Sequence, residues 1–139
     1  MNAIDTNIVI YSFDVHSPVK QQRAGALLSK LLLRPQESVL LWQVAAEVLS
    51  CLRRWQSAGR MSVADVEAHI HDTLKLFSLV IPSEAVIKCS LNLTTRYSLS
   101  HWDSMLVAAA IEAGVTTLYT EDLQSGAMYD GVRIVNPLV

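Results

Sequence analysis

The chain has 139 residues, 51% of them apolar and 17% charged, with 11 Lys and Arg against 13 Asp and Glu for a net charge of −2. This excludes a disordered or collagen-like polymer, and it offers no overall basic footprint for a nucleic-acid partner. A chain of this mass exposes roughly 7,000 Å² folded against about 22,000 Å² unfolded, which suits a single domain over residues 1–139 rather than two.

Taken in chain order, Ala3-Ile4 reads as a short buried strand ending near Asp5, and the apolar run Ile8–Tyr11 follows. Val19–Leu33 is helical and stops before Arg34-Pro35, because proline disfavours helix at the residue before it. Val39–Trp42 suits a buried strand. Val44, Val48, Leu52 and Trp55 recur at helical spacing up to Gly59. Ser62 can cap a helix whose apolar face is Val63, Val66, Ile70, Leu74 and Phe77. Leu79–Ile81 is a strand closed by Pro82, Ser83 to about Tyr97 a helix, and Trp102–Ala113 an alanine-rich helix stopped by Gly114. Thr116–Tyr119 and Val132–Val135 are β-branched strands. Alternation of strands and helices predicts an α/β fold with a parallel sheet covered on both faces.

In such a sheet, sites form beyond the carboxyl ends of the strands. Asp5 follows the first strand, Asp122 follows Thr116–Tyr119, Asp103 opens the alanine-rich helix, and Glu47 lies beside the apolar stripe between Val44 and Val48. Four carboxylates brought together would repel one another unless they share protons or hold a cation. Their hard oxygens suit Mg²⁺ or Mn²⁺, and two such ions can serve phosphodiester hydrolysis. Each acid also has a plainer reading. Asp5 could cap an Asp5-Thr6-Asn7 turn, Asp103 could reciprocate Ser100 in a capping box, Glu47 could be a solvated helix acid and Asp122 a turn residue.

Asp5-Thr6-Asn7, Glu47, Trp102-Asp103 and Thr120-Glu121-Asp122-Leu123 together resemble the PIN domain family, and most closely its VapC-type toxin ribonucleases from toxin–antitoxin pairs. The resemblance runs over the whole chain, with Tyr97–Asp103 through Gly114 and Glu121–Gly126 as its most specific stretches. It implies a three-layer α/β/α fold around a mostly parallel sheet of about five strands and a Mg²⁺- or Mn²⁺-dependent endoribonuclease. Asp5 and Asp103 would be central metal ligands, Glu47 and Asp122 would complete the acidic site, and Thr6, Asn7 and Thr120 would support it. Glu121 competes with Asp122 for the inward position, and the family pattern favours Asp122. Also implied are a homodimer, an RNA substrate, and a cognate antitoxin laying a helix and an extended segment across the groove.

Other residues are read more plainly. Arg23, Arg34, Arg53, Arg54 and Arg60 could meet phosphates, though a solvated helix face explains each singly. Trp42 could stack on a base, whereas Trp55 and Trp102 fit core or dimer packing. His16, His69, His71 and His101 read as surface or loop residues. Cys51 and Cys89 match no zinc or redox spacing and read as buried reduced thiols, with a disulfide between them the open alternative. High apolar content at low charge leaves surface for a partner, which independently favours a dimer or a bound protein. The first residues carry no basic leader, and Leu31–Leu33 and Val107–Ile111 fall far short of a bilayer span, so a soluble cytoplasmic protein with no membrane association is expected. Three competing functions are a catalytically silent PIN-like binding scaffold, a metal-dependent phosphatase and a phosphate-accepting receiver. The first would show a lost acid. The others want a second early Asp or a lysine near the phosphate, and no lysine follows Lys88.

Overall fold

The computed structural model describes residues 1–139. Five strands run parallel: β1 (Asn2–Ile4), β2 (Val39–Leu41), β3 (Ser78–Val80), β4 (Thr117–Tyr119) and β6 (Val132–Val135). β5 (Met128–Tyr129) adds an antiparallel edge. The hydrogen bonds form a four-stranded sheet in the order β1-β4-β6-β5 and a two-stranded pair β2-β3. A single parallel bridge between Asn2 and Ser38 joins them, and the Asn2 side-chain amide donates to the Glu37 carbonyl beside it at 3.2 Å. The strands are short, but Ile4, Leu40, Leu118 and Ile134 are fully buried, as expected of a sheet covered on both faces.

The helices are α1 (Thr6–Tyr11), α2 (Pro18–Leu31), α3 (Trp42–Ser57), α4 (Val63–Leu74), α5 (Glu84–Tyr97) and α6 (His101–Glu112). α1 packs on α2 and α3, α3 on α4, and α5 on α6. Val44, Val48 and Leu52 give α3 a buried face at the predicted spacing, and Val107, Ala108 and Ala110 do the same for α6. The three-layer α/β/α architecture is the one expected. Gly59 and Gly114 end α3 and α6 with φ of +77° and +74°, the left-handed turn that glycine takes without strain.

Some boundaries differ from the sequence reading. Ile8–Tyr11, an apolar run that the sequence alone leaves unassigned, belongs to α1, whose first turn Asp5 caps by accepting the Thr6 N–H at 2.6 Å. Trp42 starts α3 instead of ending β2. β3 begins one residue earlier than expected, and Phe77 is buried beyond the end of α4. The β5–β6 hairpin was not expected. It turns on Asp130-Gly131, both at positive φ (47° and 88°), the dipeptide a two-residue type I′ turn favours. Arg96 clamps Asp130 with two bonds of 2.7 Å, tying the hairpin to the end of α5.

Candidate active site

Strand register builds the centre of the site. Ile4 pairs with Tyr119 and Tyr119 with Val135, so the residues that follow β1 and β4, Asp5 and Thr120, emerge side by side. The ladder continues one step past the strands, with the Asp5 N–H donating to the Tyr119 carbonyl (2.9 Å) and the Thr120 N–H to that of Val135 (3.0 Å). Both side chains are buried, and the Thr120 hydroxyl donates to Asp5 Oδ2 at 2.7 Å. The same hydroxyl oxygen accepts the Asp122 N–H at 3.1 Å, which fixes the turn carrying Asp122.

Glu47 arrives from α3. The Thr6 hydroxyl donates to its Oε2 (2.7 Å) and the Gln43 amide to its Oε1 (3.0 Å). Gln43 also donates to the Trp102 carbonyl at 3.2 Å, linking Glu47 to the start of α6 and thus to Asp103. Asp5, Glu47 and Asp122 share a cleft of about 430 Å³ with Asn7, Tyr11 and Arg54. Asp103 faces Asp122 closely enough to raise its pKa. Asp5, Glu47 and Asp122 thus line one cleft and Asp103 faces Asp122 from the start of α6, with Thr6 and Thr120 as hydrogen-bonding supports. Asn7 lines the cleft and holds the Asp122 carboxyl down somewhat, yet its Oδ1 and Nδ2 are both buried without an ordinary hydrogen-bond partner.

The plainer readings can now be weighed. Asp5 does cap α1, but through one oxygen only. Asp103 is no reciprocal cap. Ser100 Oγ accepts the Asp103 N–H (3.3 Å), but the carboxylate does not return to the Ser100 backbone. The contrast is α4, where Ser62 and Asp65 complete both bonds of the capping box. Glu121 does not compete for the site, since it is held by the Tyr11 hydroxyl (2.5 Å) and Lys20 (3.1 Å). That leaves Asp122 as the inward acid.

Burial dominates the electrostatics of the site. Burial pushes Asp5 from 3.8 up to about 6; the Thr120 and Thr6 hydrogen bonds oppose this, and the Asp122 and Glu47 charges add to it. Asp122 is also raised, first by burial and then by Glu121 and Asp103. No three acidic, histidine or cysteine side chains converge tightly enough to cage an ion alone. A magnesium-type ion does not require that, because it takes one or two carboxylates and fills its shell with water and phosphate oxygens. Hard oxygen donors, a buried carboxyl whose ionised form burial disfavours, and an unsatisfied Asn7 carbonyl all fit such an ion.

Several participants escaped the sequence reading. Gln43 lies one helical turn before Glu47, a spacing that could have flagged it. Tyr11, Lys20 and Glu121 meet only through tertiary structure. Trp102 is 63% exposed instead of packed in the core, and Trp42 is 51% exposed. Trp55 packs against the core, edge-on to Phe13 and under the Arg60 guanidinium. His69 is half-buried and stacks on Phe13. Both cysteines are free and half-buried. No helix is long and apolar enough to cross a membrane.

No family model and no curated protein matches the sequence. Solved structures do. A toxin–antitoxin complex from Klebsiella pneumoniae aligns with a TM-score of 0.72 at 21% identity, over 99% of this chain and 98% of that one. The Mycobacterium tuberculosis toxin VapC20, which cleaves the sarcin-ricin loop, aligns with a TM-score of 0.61 at 13% identity, over 88% of this chain and 90% of its own. At these identities the likeness establishes a shared fold, and it is the fold that the PIN resemblance implied.

Proposed function

We propose that the chain is a Mg²⁺- or Mn²⁺-dependent endoribonuclease of the PIN type, the toxin of a toxin–antitoxin pair. The observation that carries this reading is the placement of Asp5, Glu47 and Asp122 in one cleft at the carboxyl end of a parallel sheet, with Asp103 facing Asp122 from the start of α6. Asp5 and Asp103 would hold the ion, with Glu47 and Asp122 completing the site directly or through water. When bound, the ion supplies Lewis acidity at the phosphodiester and a nucleophilic water at neutral pH. Thr120 orients Asp5, and Thr6 with Gln43 orients Glu47, so each carboxylate is fixed before substrate arrives. The two solved structures, both from toxins or toxin complexes, support the toxin assignment.

The phosphatase and receiver readings are weaker. Each wants a free lysine at the phosphate, and the lysine nearest the cleft, Lys20, is tied to Tyr11 and Glu121. No acid of the set is missing, as a silent scaffold would require.

Beside the acids runs an apolar groove of about 610 Å³, lined by Trp42, Val80, Ile81, Trp102 and Met105 and reaching Glu47. Its size and its exposed tryptophans support the antitoxin as occupant, seated where it would block the cleft. A separate apolar pair, Ile87 and Leu91, lies exposed one turn apart on α5 and supports self-association into a homodimer.

The direct test is cleavage of total RNA by protein freed of antitoxin, with Mg²⁺, with Mn²⁺ and with EDTA. Cutting that needs the metal and disappears in Asp5→Asn is the expected result. Absence of both cutting and calorimetric metal binding would favour a binding scaffold. Thr120→Val tests the support. It removes a donor from Asp5 and an acceptor from the Asp122 N–H, and it should lower stability by about 1–3 kcal/mol. It should also lower cleavage by about 10- to 100-fold, as loss of a partner that orients a metal ligand does.

A further inference from the structure

We propose that Arg53 and Arg54 form a phosphate track on α3 that holds the RNA backbone to one side of the scissile bond, an inference that rests on the ribonuclease reading above. A chain of net charge −2 with an acidic cleft repels a polyanion, so productive binding needs local cations beyond the metal. Most of the basic side chains are already engaged. Lys20, Arg34, Arg60, Lys88 and Arg96 are in ion pairs, and Arg23 donates to the Leu138 carbonyl. Arg53 and Arg54 pair with no carboxylate. Arg54 lines the acidic cleft itself, where it donates to the Ser50 hydroxyl at 3.1 Å and lies beside the Cys51 thiol, neither of them an anion.

The surface around them has the shape for the task. A second hollow of about 580 Å³ continues from the cleft along α3, lined by Ala46, Ser50, Arg53, Arg54, Ser57 and Ala58. Ser50 lies at the meeting point of this hollow, the acidic cleft and the apolar groove. Small side chains leave a shallow trough in which a sugar-phosphate backbone can approach the helix, and guanidinium forks match phosphate oxygens. Arg54 follows Glu47 by seven residues, about 10 Å along the helix axis, so the track begins next to the acids. The trough has no aromatic or large aliphatic anchor, which a protein partner would use. Those anchors, Trp42, Ile81 and Trp102, lie across Glu47 in the apolar groove. The arginine side therefore suits RNA, and the tryptophan side suits protein.

The experiment measures binding of a labelled single-stranded RNA of mixed sequence to the cleavage-silent Asp5→Asn protein in Mg²⁺ over a range of salt concentrations. Adding Arg53→Ala or Arg54→Ala should weaken binding about fivefold. Each should also reduce the slope of log affinity against log salt by about 0.7, the value for one phosphate contact on a single strand. Arg54→Lys should restore the slope. Arg133→Ala should leave it unchanged, since Arg133 lies exposed on β6 opposite Thr117, at the amino end of β4. In the cleaving protein, Arg54→Ala should raise KM and spare kcat. Unchanged salt slopes in both alanine variants would overturn the track and reassign the pair to a protein surface. If the parent protein neither cuts RNA nor binds metal, the ribonuclease reading falls and the track falls with it.

Discussion

Asp103→Asn is expected to reduce metal-dependent RNA cleavage by about 10³-fold or more while leaving the melting temperature within about 2 °C of the parent. The carboxylate of Asp103 makes no hydrogen bond, so its removal breaks nothing in the folded chain. Losing a negative charge in the first turn of α6 forfeits about 0.3–1 kcal/mol of helix-dipole interaction. Relief of repulsion against Asp122 offsets that loss. Asp65→Asn is the matched control. Asp65 holds the equivalent position in α4, three residues after its Ser cap, but it completes the capping box. It should cost about 0.5–1 kcal/mol, seen as a drop of a few degrees, with cleavage untouched. If the two variants behaved alike, both melting early and cleavage surviving in both, Asp103 would be a cap and the site would have lost a central member.

The second large effect concerns pH in the metal-free protein. The folded pKa of Asp5, about 6, lies above its ordinary 3.8. The folded state therefore binds this proton more tightly than the unfolded chain does, and the stability it brings is complete below pH 3.8 and lost as pH rises through about 6. Raising a buried carboxyl this far corresponds to about 3 kcal/mol, and the raised pKa of Asp122 acts in the same direction. Asp130, lowered by Arg96, works in the opposite sense, but it is solvent-exposed and contributes little. In EDTA, denaturant midpoints should fall between pH 4 and 7 in the parent and stay flatter in Asp5→Asn. At pH 7.5, Asp5→Asn should then equal or exceed the parent. Adding Mg²⁺ should reverse the order by stabilising only the protein with the intact carboxylate. A parent profile that rises with pH in EDTA would show that Asp5 is stabilised as an anion by something other than a cation.

What could be read in the sequence was whatever local spacing controls. The α3 stripe of Val44, Val48 and Leu52, the glycine stops at Gly59 and Gly114, and the polar residues following β1 and β4 all follow from chain periodicity and turn chemistry. Asp5, Asp103 and Asp122 were identifiable because each sits at an element end, where a parallel sheet places its site, and Glu47 because it lies beside the apolar stripe of its helix. Ile8–Tyr11 was ambiguous because a four-residue apolar run suits a strand or a buried helix, and the Asp5 cap that opens α1 could equally have been an isolated turn. The choice between Glu121 and Asp122 depended on Tyr11 and Lys20, more than 100 residues away in the chain. The exposure of Trp102 was hidden for a similar reason. α6 is apolar on nearly every face, so its composition alone does not say which face remains uncovered.

The lone Asn2–Ser38 bridge has a mechanical consequence. Asp5, Thr120 and Asp122 ride on the larger slab of sheet, while Glu47 rides on the smaller one through α3. Almost no backbone ladder spans the seam between the slabs, so the spacing of Glu47 from Asp5 is held by helix packing and by the Thr6–Glu47 hydrogen bond. The apolar groove straddles the same seam, with Val80 and Ile81 on one bank and Trp102 and Met105 on the other. An occupant of the groove would therefore touch both slabs, and with them both halves of the acidic centre.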